Sequence, residues 1–314
     1  MRTLVVGAGA VGGYFGGRML EAHRDVTFLV RPRRAAMLAR SGLRIRSPFG
    51  NATLGPPPVV VASQLSARYD LVLLACKAYD LDAAIDSFAP AVGPDTAILP
   101  LLNGMRHIDV LAEHFGASRV LGGLCHISTA LDPDGTIEQF HESHDITFGE
   151  PSGGHSPRTE AILAELAPAR CVSRVSARIL DEMWEKWVFI ATGAGIGCLM
   201  RATVGDIVAA GGAELVERLL GECAAVAARS GFPQREAALD RARVTFTAAG
   251  SAFTASMLRD IERGAAIEGE HIVGDLRRRG DRGATFLLGV VEAHLRAYES
   301  RRRREGAALP GPRG

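Results

Sequence analysis

Two lysines, Lys77 and Lys186, stand against 34 arginines in this chain of 314 residues. Where arginine fills nearly every cationic position, a retained lysine points to something arginine lacks. That property is an amine whose pKa burial can lower and whose proton can be released. Lys186 lies in Trp184-Glu185-Lys186-Trp187, on a long apolar run of helical period. Desolvation there would lower its pKa and make it a usable proton donor; the plainer alternative is a lysine snorkelling to the surface. Lys77 follows the apolar run 71–76 and Asn103-Gly104 follows the run 97–102, so both stand at strand ends. That edge is where open α/β sheets take ligands, although either residue could instead be ordinary loop punctuation.

Gly7-Ala8-Gly9-Ala10-Val11-Gly12 is a G-x-G-x-x-G run between the apolar stretch 3–6 and an amphipathic run to about residue 22. Strand, glycine turn and helix in that order suit a dinucleotide. The glycines permit the tight turn, and backbone amides from Gly9 to Gly12 approach a pyrophosphate at the helix N-terminus. The second strand ends Leu29-Val30-Arg31-Pro32-Arg33-Arg34, with no acid at the position that would hold a ribose 2′-hydroxyl; Asp25 sits at the strand's other end. Arg31 there suits a 2′-phosphate, so NADPH is the expected cofactor. A solvated basic loop is the alternative.

The elements that must position these residues alternate as strand and helix through the first half, which predicts a mostly parallel sheet with helices on both faces. Residues 43–47 and 59–62 read as an inserted hairpin, and 119–149 as antiparallel strands around the turn Asp132-Pro133-Asp134-Gly135. A helix at about 158–167 and an extended piece at 171–175 complete this half. From residue 177 every long pattern is helical. The expected fold is therefore α/β: a Rossmann-type doubly wound domain over 1–176, followed by an all-helical domain over 177–314 for substrate binding and dimerisation. In the second domain, 256–264 reads as a helix ended by Gly264, and Glu268 opens another with Ile272 and Asp275 on its face. A hydroxyl at Ser256 and a carboxylate at Glu268 could anchor a small polar substrate. The tail from about Arg301 reads as a frayed basic end.

The composition excludes several classes of partner. A net charge of +1 offers no field for nucleic acid or an anionic membrane. The longest apolar stretch, 187–200, is too short to span a bilayer, and the apolar run right after Met1 leaves no room for a signal peptide. Five scattered cysteines without a C-x-x-C read as reduced thiols of a cytoplasmic protein. No metal is expected, since His141-Glu142-Ser143-His144 reads as a solvated turn. The apolar helices of the second half would support a homodimer.

Taken in order, Gly7–Gly12, Arg31, Lys77, Asn103-Gly104-Met105, Trp184-Glu185-Lys186 and Ser256-Met257-Leu258 with Asp260 and Glu268 resemble the ketopantoate reductase (2-dehydropantoate 2-reductase) family. The resemblance runs from residue 1 to about 275 and implies a Rossmann domain followed by an all-helical one. It implies NADPH-dependent reduction of a 2-oxo acid, in the first place 2-dehydropantoate to pantoate in pantothenate biosynthesis. Gly7, Gly9 and Gly12 would cradle the pyrophosphate, and Arg31 would contact the 2′-phosphate. Lys77 and Asn103 would lie near the ribose and the reacting centre. Lys186 would be the general acid, Ser256 would meet the substrate carboxylate, and Glu268 the nascent hydroxyl. The sequence also departs from the family. Asparagines four and eight residues after the lysine are replaced by Ile190 and Ala194, and a third by Val273. A Pro-rich stretch gives way to residues 280–286. A pocket wall that has exchanged amides for apolar groups loses polar discrimination. A related hydroxy-acid or opine-type dehydrogenase with a more apolar substrate, or a catalytically silent NADP(H) sensor, are the alternatives.

Overall fold

The computed structural model describes residues 1–308 and divides them into two units. The first comprises Met1–Leu102 with His107–Leu180, the second Asn103–Arg106 with the chain from Asp181 onward.

The strands of the first unit are β1 (Thr3–Val6), β2 (Val26–Leu29), β3 (Leu43–Arg46), β4 (Ala52–Leu54), β5 (Val59–Val60), β6 (Tyr69–Leu74), β7 (Val92–Pro100), β8 (Gly122–Leu131), β9 (Thr136–Gly149) and β10 (Val172–Val175). Helices α1 (Ala10–Glu21), α2 (Pro32–Ser41), α3 (Leu81–Phe88), α4 (Arg106–Phe115) and α5 (Pro157–Leu166) connect them. One sheet is parallel throughout, in the order β5-β2-β1-β6-β7. β1 is buried along its whole length, as a central strand of a parallel sheet must be. It lies between β2 and β6, where the winding of the sheet reverses, so its carboxyl end faces the crevice in which such sheets bind ligands.

A second sheet runs β10-β9-β3-β4, with β8 antiparallel to β9. Helix α1 fits closely among residues of both sheets because one of its faces is glycine. A Cβ at Gly16 would stand 2.6 Å from the Phe28 ring of β2, and one at Gly17 would stand 2.6 Å from Leu43 of β3.

Two expectations for this unit need correction. Residues 43–47 and 59–62 do not pair with each other. β3 pairs antiparallel with β4, and β5 joins β2 as the edge of the parallel sheet. Local turn chemistry decides this: the Ser47 amide donates to Asn51 Oδ1 at 3.1 Å and Gly50 adopts φ +102°, closing the hairpin before the prolines at 56–58. Nor is 141–144 a turn, because it lies within β9. The buried His144 ring pairs with Tyr14 Oη at 3.0 Å and stacks on Phe49.

Among its described residues the second unit is wholly helical: α6 (Ile179–Met200), α7 (Val204–Ala209), α8 (Ala213–Arg229), α9 (Glu236–Phe246), α10 (Ser256–Glu262), α11 (Asp275–Arg279) and α12 (Phe286–Ala308). α6 is buried continuously from Ala191 to Cys198, which explains its apolar character all round. Gly193 lets the Phe246 ring of α9 approach to where a Cβ would be 2.5 Å away. The first turn of α12 is capped from α8, where the Glu222 carboxylate accepts from the Leu287 and Leu288 amides at 3.1 and 2.8 Å. Gly264, at φ +67°, closes the turn after α10. The helix expected from Glu268 begins instead with a π-helical turn, Glu270–Gly274, which leads into α11.

The tail also departs from expectation. α12 continues through Arg301–Arg304 to Ala308, supported by the pairs Arg302–Glu299 and Arg301–Glu305. Residues 309–314 lie outside the described part. Among the described residues no cysteine forms a disulfide; burial pushes the thiols of Cys198 and Cys223 up to about 12, which leaves them protonated. Among the described residues no helix is long and apolar enough to cross a membrane.

Candidate functional site

The candidate residues of the first unit gather at the carboxyl ends of β1, β2 and β6. Gly7 leaves β1 at φ +96°, and a Cβ on Gly12 would lie 2.1 Å from the Gly7 carbonyl oxygen. Only glycine at 12 therefore lets the first turn of α1 fold back onto the loop. Gly9, the N-cap, has nothing within 4 Å of its Cβ position, so the space beside it is open. The amides of Ala10, Val11 and Gly12 precede any intrahelical acceptor. No acidic side chain occupies this first turn, which leaves the positive end of the helix dipole available to an anion. Open space with convergent amides fits a dinucleotide pyrophosphate.

Arg31 follows β2 as the N-cap residue of α2, with its side chain 72% exposed. Its Nη2 donates to Asp80 Oδ1 at 2.7 Å, and the carboxylate raises the guanidinium pKa further. Lys77 is exposed beyond β6, at the N-cap of a short 3₁₀ turn that ends at Asp80. Because β2 and β6 flank β1, Arg31 and Lys77 rise on either side of the glycine turn.

Sequence reasoning left two residues here without a role. Arg34 was only part of a basic run, yet its Nε donates to the Ala8 carbonyl at 2.9 Å and its guanidinium packs against Gly135 and Met37. Desolvation draws its pKa down. Arg34 thus braces the glycine turn, while Arg31 faces solvent. Asp80, the partner of Arg31, carried no sequence signal, because nothing along the chain relates position 80 to position 31.

Three further candidates stand on segments of the second unit that meet at Trp187. Lys186 is half-buried on α6. The next residue, Trp187, is fully buried, and its Nε1 donates to the Ile272 carbonyl of the π-helical turn at 2.8 Å. The Glu268 carbonyl accepts from the His271 and Ile272 amides, so Glu268 starts the same turn. Asn103 belongs to this unit as well. The adjoining Gly104, at φ +83°, has its Cβ position 3.1 Å from the His271 carbonyl and 3.7 Å from Trp187 Nε1. The lysine helix, the Asn103 loop and the Glu268 turn are thus tied together through Trp187. A π-helical turn widens the backbone and is found often at functional positions.

On α6 itself, Ile190 and Ala194 share the Lys186 face by helical spacing; Ala194 is buried and Ile190 half-buried. Val273 is fully buried in the π-helical turn. Ser256 is exposed at the first position of α10, whose end is tied to α12 by Tyr298 Oη, in reach of the Ile261 carbonyl at 3.4 Å and of the Ala265 carbonyl just beyond it at 2.8 Å. Glu185 holds α6 from its other side, in a bidentate pair with Arg235 that includes Oε2–Nη2 at 2.7 Å.

Known proteins resemble this chain along most of its length. Residues 3–153 match the family Ketopantoate reductase PanE/ApbA, and residues 178–285 match Ketopantoate reductase PanE/ApbA C terminal. The uncharacterized oxidoreductase YkpB of Bacillus subtilis (strain 168) is 38% identical over 96% of this chain and 99% of its own. A 2-dehydropantoate 2-reductase of Mesorhizobium japonicum is 27% identical over 89% of this chain and 91% of its own. The crystal structure of 2-dehydropantoate 2-reductase from Methylococcus capsulatus superposes with a TM-score of 0.84 at 27% identity, covering 96% of this chain and 98% of that one. The chain belongs to the ketopantoate reductase family, NADP-dependent oxidoreductases that act on CH–OH groups and reduce 2-oxo acids.

Proposed function

We propose that this chain reduces a 2-oxo acid with NADPH, ketopantoate being the first candidate substrate and pantoate, for pantothenate biosynthesis, its product. The observation that carries the reading is the joining of Lys186, Asn103 and Glu268 through Trp187 and the π-helical turn. A cation, an amide and a carboxylate carried on segments so joined would suit a carbonyl that becomes an alkoxide and then an alcohol.

Gly7, Gly9, Ala10, Val11 and Gly12 would hold the pyrophosphate of NADPH, Arg31 its 2′-phosphate, and Lys77 and Asn103 the ribose near the reacting centre. When bound, NADPH supplies the two electrons that the carbonyl carbon accepts. The remaining work falls to the chain. Lys186 stabilises negative charge on the carbonyl oxygen and then gives it a proton. Glu268 accepts a hydrogen bond from the new hydroxyl, and Ser256 donates to the substrate carboxylate. Ile190 and Ala194 give the wall beside Lys186 an apolar surface, which favours a second reading in which the preferred 2-oxo acid is more apolar than ketopantoate. The assembly we propose is a homodimer through the helical unit, where Phe286 and Val244 expose apolar surface; sedimentation velocity reads it directly.

The deciding experiment follows NADPH oxidation with ketopantoate beside a panel of apolar 2-oxo acids, for the wild type and Lys186→Ala. Turnover on ketopantoate that falls by roughly 10²–10⁴ in the variant supports the full reading. Turnover restricted to apolar oxo acids keeps the chemistry and replaces the substrate. NADPH binding without turnover on any of them overturns the reading in favour of a sensor.

A further inference from the structure

Asp80 stands where an aspartate ordinarily serves the backbone. It is the N-cap residue of α3, a position from which a carboxylate usually accepts amides of the first turn. Its side chain makes no such bond. Oδ1 accepts instead from Arg31 Nη2 at 2.7 Å, 49 residues away in sequence. Arg31 lies just beyond β2 and Asp80 just beyond β6, the two neighbours of β1. The ion pair therefore spans the carboxyl end of β1, from which Gly7 leads into the phosphate-binding turn.

The guanidinium best placed for a 2′-phosphate is thus already engaged by a carboxylate. Arg34 cannot take over that duty, since its Nε serves the Ala8 carbonyl and its head group is packed against Gly135. A phosphate held in fork geometry takes two parallel N–H groups of one guanidinium edge. It also carries negative charge toward a carboxylate within reach of the same cation. Binding a 2′-phosphate must then weaken the Arg31–Asp80 bond or share the cation, at a cost. A 2′-hydroxyl imposes no such demand.

We propose that Asp80 is a cofactor-specificity residue, which competes with the 2′-phosphate of NADPH for Arg31 and so restrains the enzyme's preference for NADPH over NADH. The inference rests on the NADPH reading given above. The pair is solvent-exposed, with side chains 72% and 32% accessible, so the effect is modest and screened by salt.

The test measures Kd for NADPH and for NADH by fluorescence titration, and kcat/KM for each beside it, with wild type, Asp80→Asn, Asp80→Ser, Arg31→Ala and the double variant Arg31→Ala/Asp80→Asn. Asp80→Asn is expected to raise the NADPH/NADH ratio about two- to five-fold, the range an exposed ion pair supports, through a lower KM for NADPH. The gain should shrink at high salt and vanish in the double variant. Asp80→Ser keeps a helix-capping side chain and should reproduce the gain, which separates competition from damage to α3. An unchanged or lower ratio in both Asp80 variants overturns the proposal, a fall meaning that Asp80 positions Arg31 instead. If Arg31→Ala itself leaves the ratio unchanged, the underlying NADPH reading fails, and that outcome is distinct from the other two.

Discussion

The glycine turn of the first unit and the lysine neighbourhood of the second solve the same kind of problem with different materials. At Gly7–Gly12 the recognising groups are backbone amides, and the side chains matter by being absent. The Cβ that Gly12 lacks would stand 2.1 Å from the Gly7 carbonyl. Around Lys186 the groups are side chains, held by contacts that join positions far apart in sequence. Trp187 reaches Ile272 across 85 residues, and Gly104 lies against His271. One site is built mainly from consecutive backbone groups, with Arg34 bracing it at the Ala8 carbonyl. The other depends on a helix, a loop and a π-helical turn keeping their places together.

The sharpest way to test this contrast is to change chemistry without changing charge. Lys186→Arg keeps a cation on α6 but not one that releases a proton near neutral pH. We expect kcat to fall by roughly 10²–10⁴ while NADPH binding by fluorescence titration stays near wild type. Turnover within about tenfold of wild type would mean that Lys186 acts by charge alone. In the other unit, Gly12→Ala should do the reverse. The added methyl has no room against the Gly7 carbonyl, so NADPH affinity should collapse. Overpacking of this kind costs about 1–3 kcal/mol, readable as a lower Tm. Retained NADPH affinity would show that the turn can shift, and would weaken the contrast.

These materials also govern how much could be read from the sequence. G-x-G-x-x-G after a short apolar run is contiguous, and it lies where the sheet places the crevice. Arg31 and Lys77 were legible for the same reason, as the ends of β2 and β6. The alternation of strands and helices, followed by an all-helical half, was visible in periodicity. Lys186 drew notice through its rarity, but its neighbours did not, because helical spacing gives Ile190 and Ala194 and cannot give Ile272. Asn103 follows the end of β7 as expected, but that its loop lies with the helical residues around Trp187 had no signal in the sequence. The misread hairpin had a local cause in the Ser47–Asn51 bond. Asp80 and Arg34 were beyond reach, since a long-range ion pair and a half-buried guanidinium bonded to the Ala8 carbonyl leave no pattern along the chain.

Trp187→Phe tests whether the second unit truly hangs on one indole. Phenylalanine fills much of the space but leaves the Ile272 carbonyl without its donor, a loss of about 1–3 kcal/mol for a buried acceptor. If the hydrogen bond holds Glu268 and Asn103 in register with Lys186, KM for the 2-oxo acid should rise more than KM for NADPH. Equal changes in both would reduce Trp187 to a stability residue.

The smallest effect belongs to His144, whose behaviour contrasts a structural histidine with a working one. Its buried ring pairs with Tyr14 and stacks on Phe49 at 3.6 Å between centroids. Burial first, and then the nearby Arg18 cation, hold its pKa below the ordinary value of 6.5, with Asp145 opposing them. The unfolded chain therefore takes up this proton before the folded one does. Its contribution to stability is fully present above about pH 6.5 and is lost as pH falls below that value toward the folded pKa. Thermal unfolding of wild type from pH 7.5 downward should show Tm declining more steeply below pH 6.5 than in His144→Gln, which has no group to titrate there. Parallel pH profiles would mean that the ring accepts its proton without disturbing Tyr14 or Phe49, and that the acid sensitivity of this unit lies elsewhere.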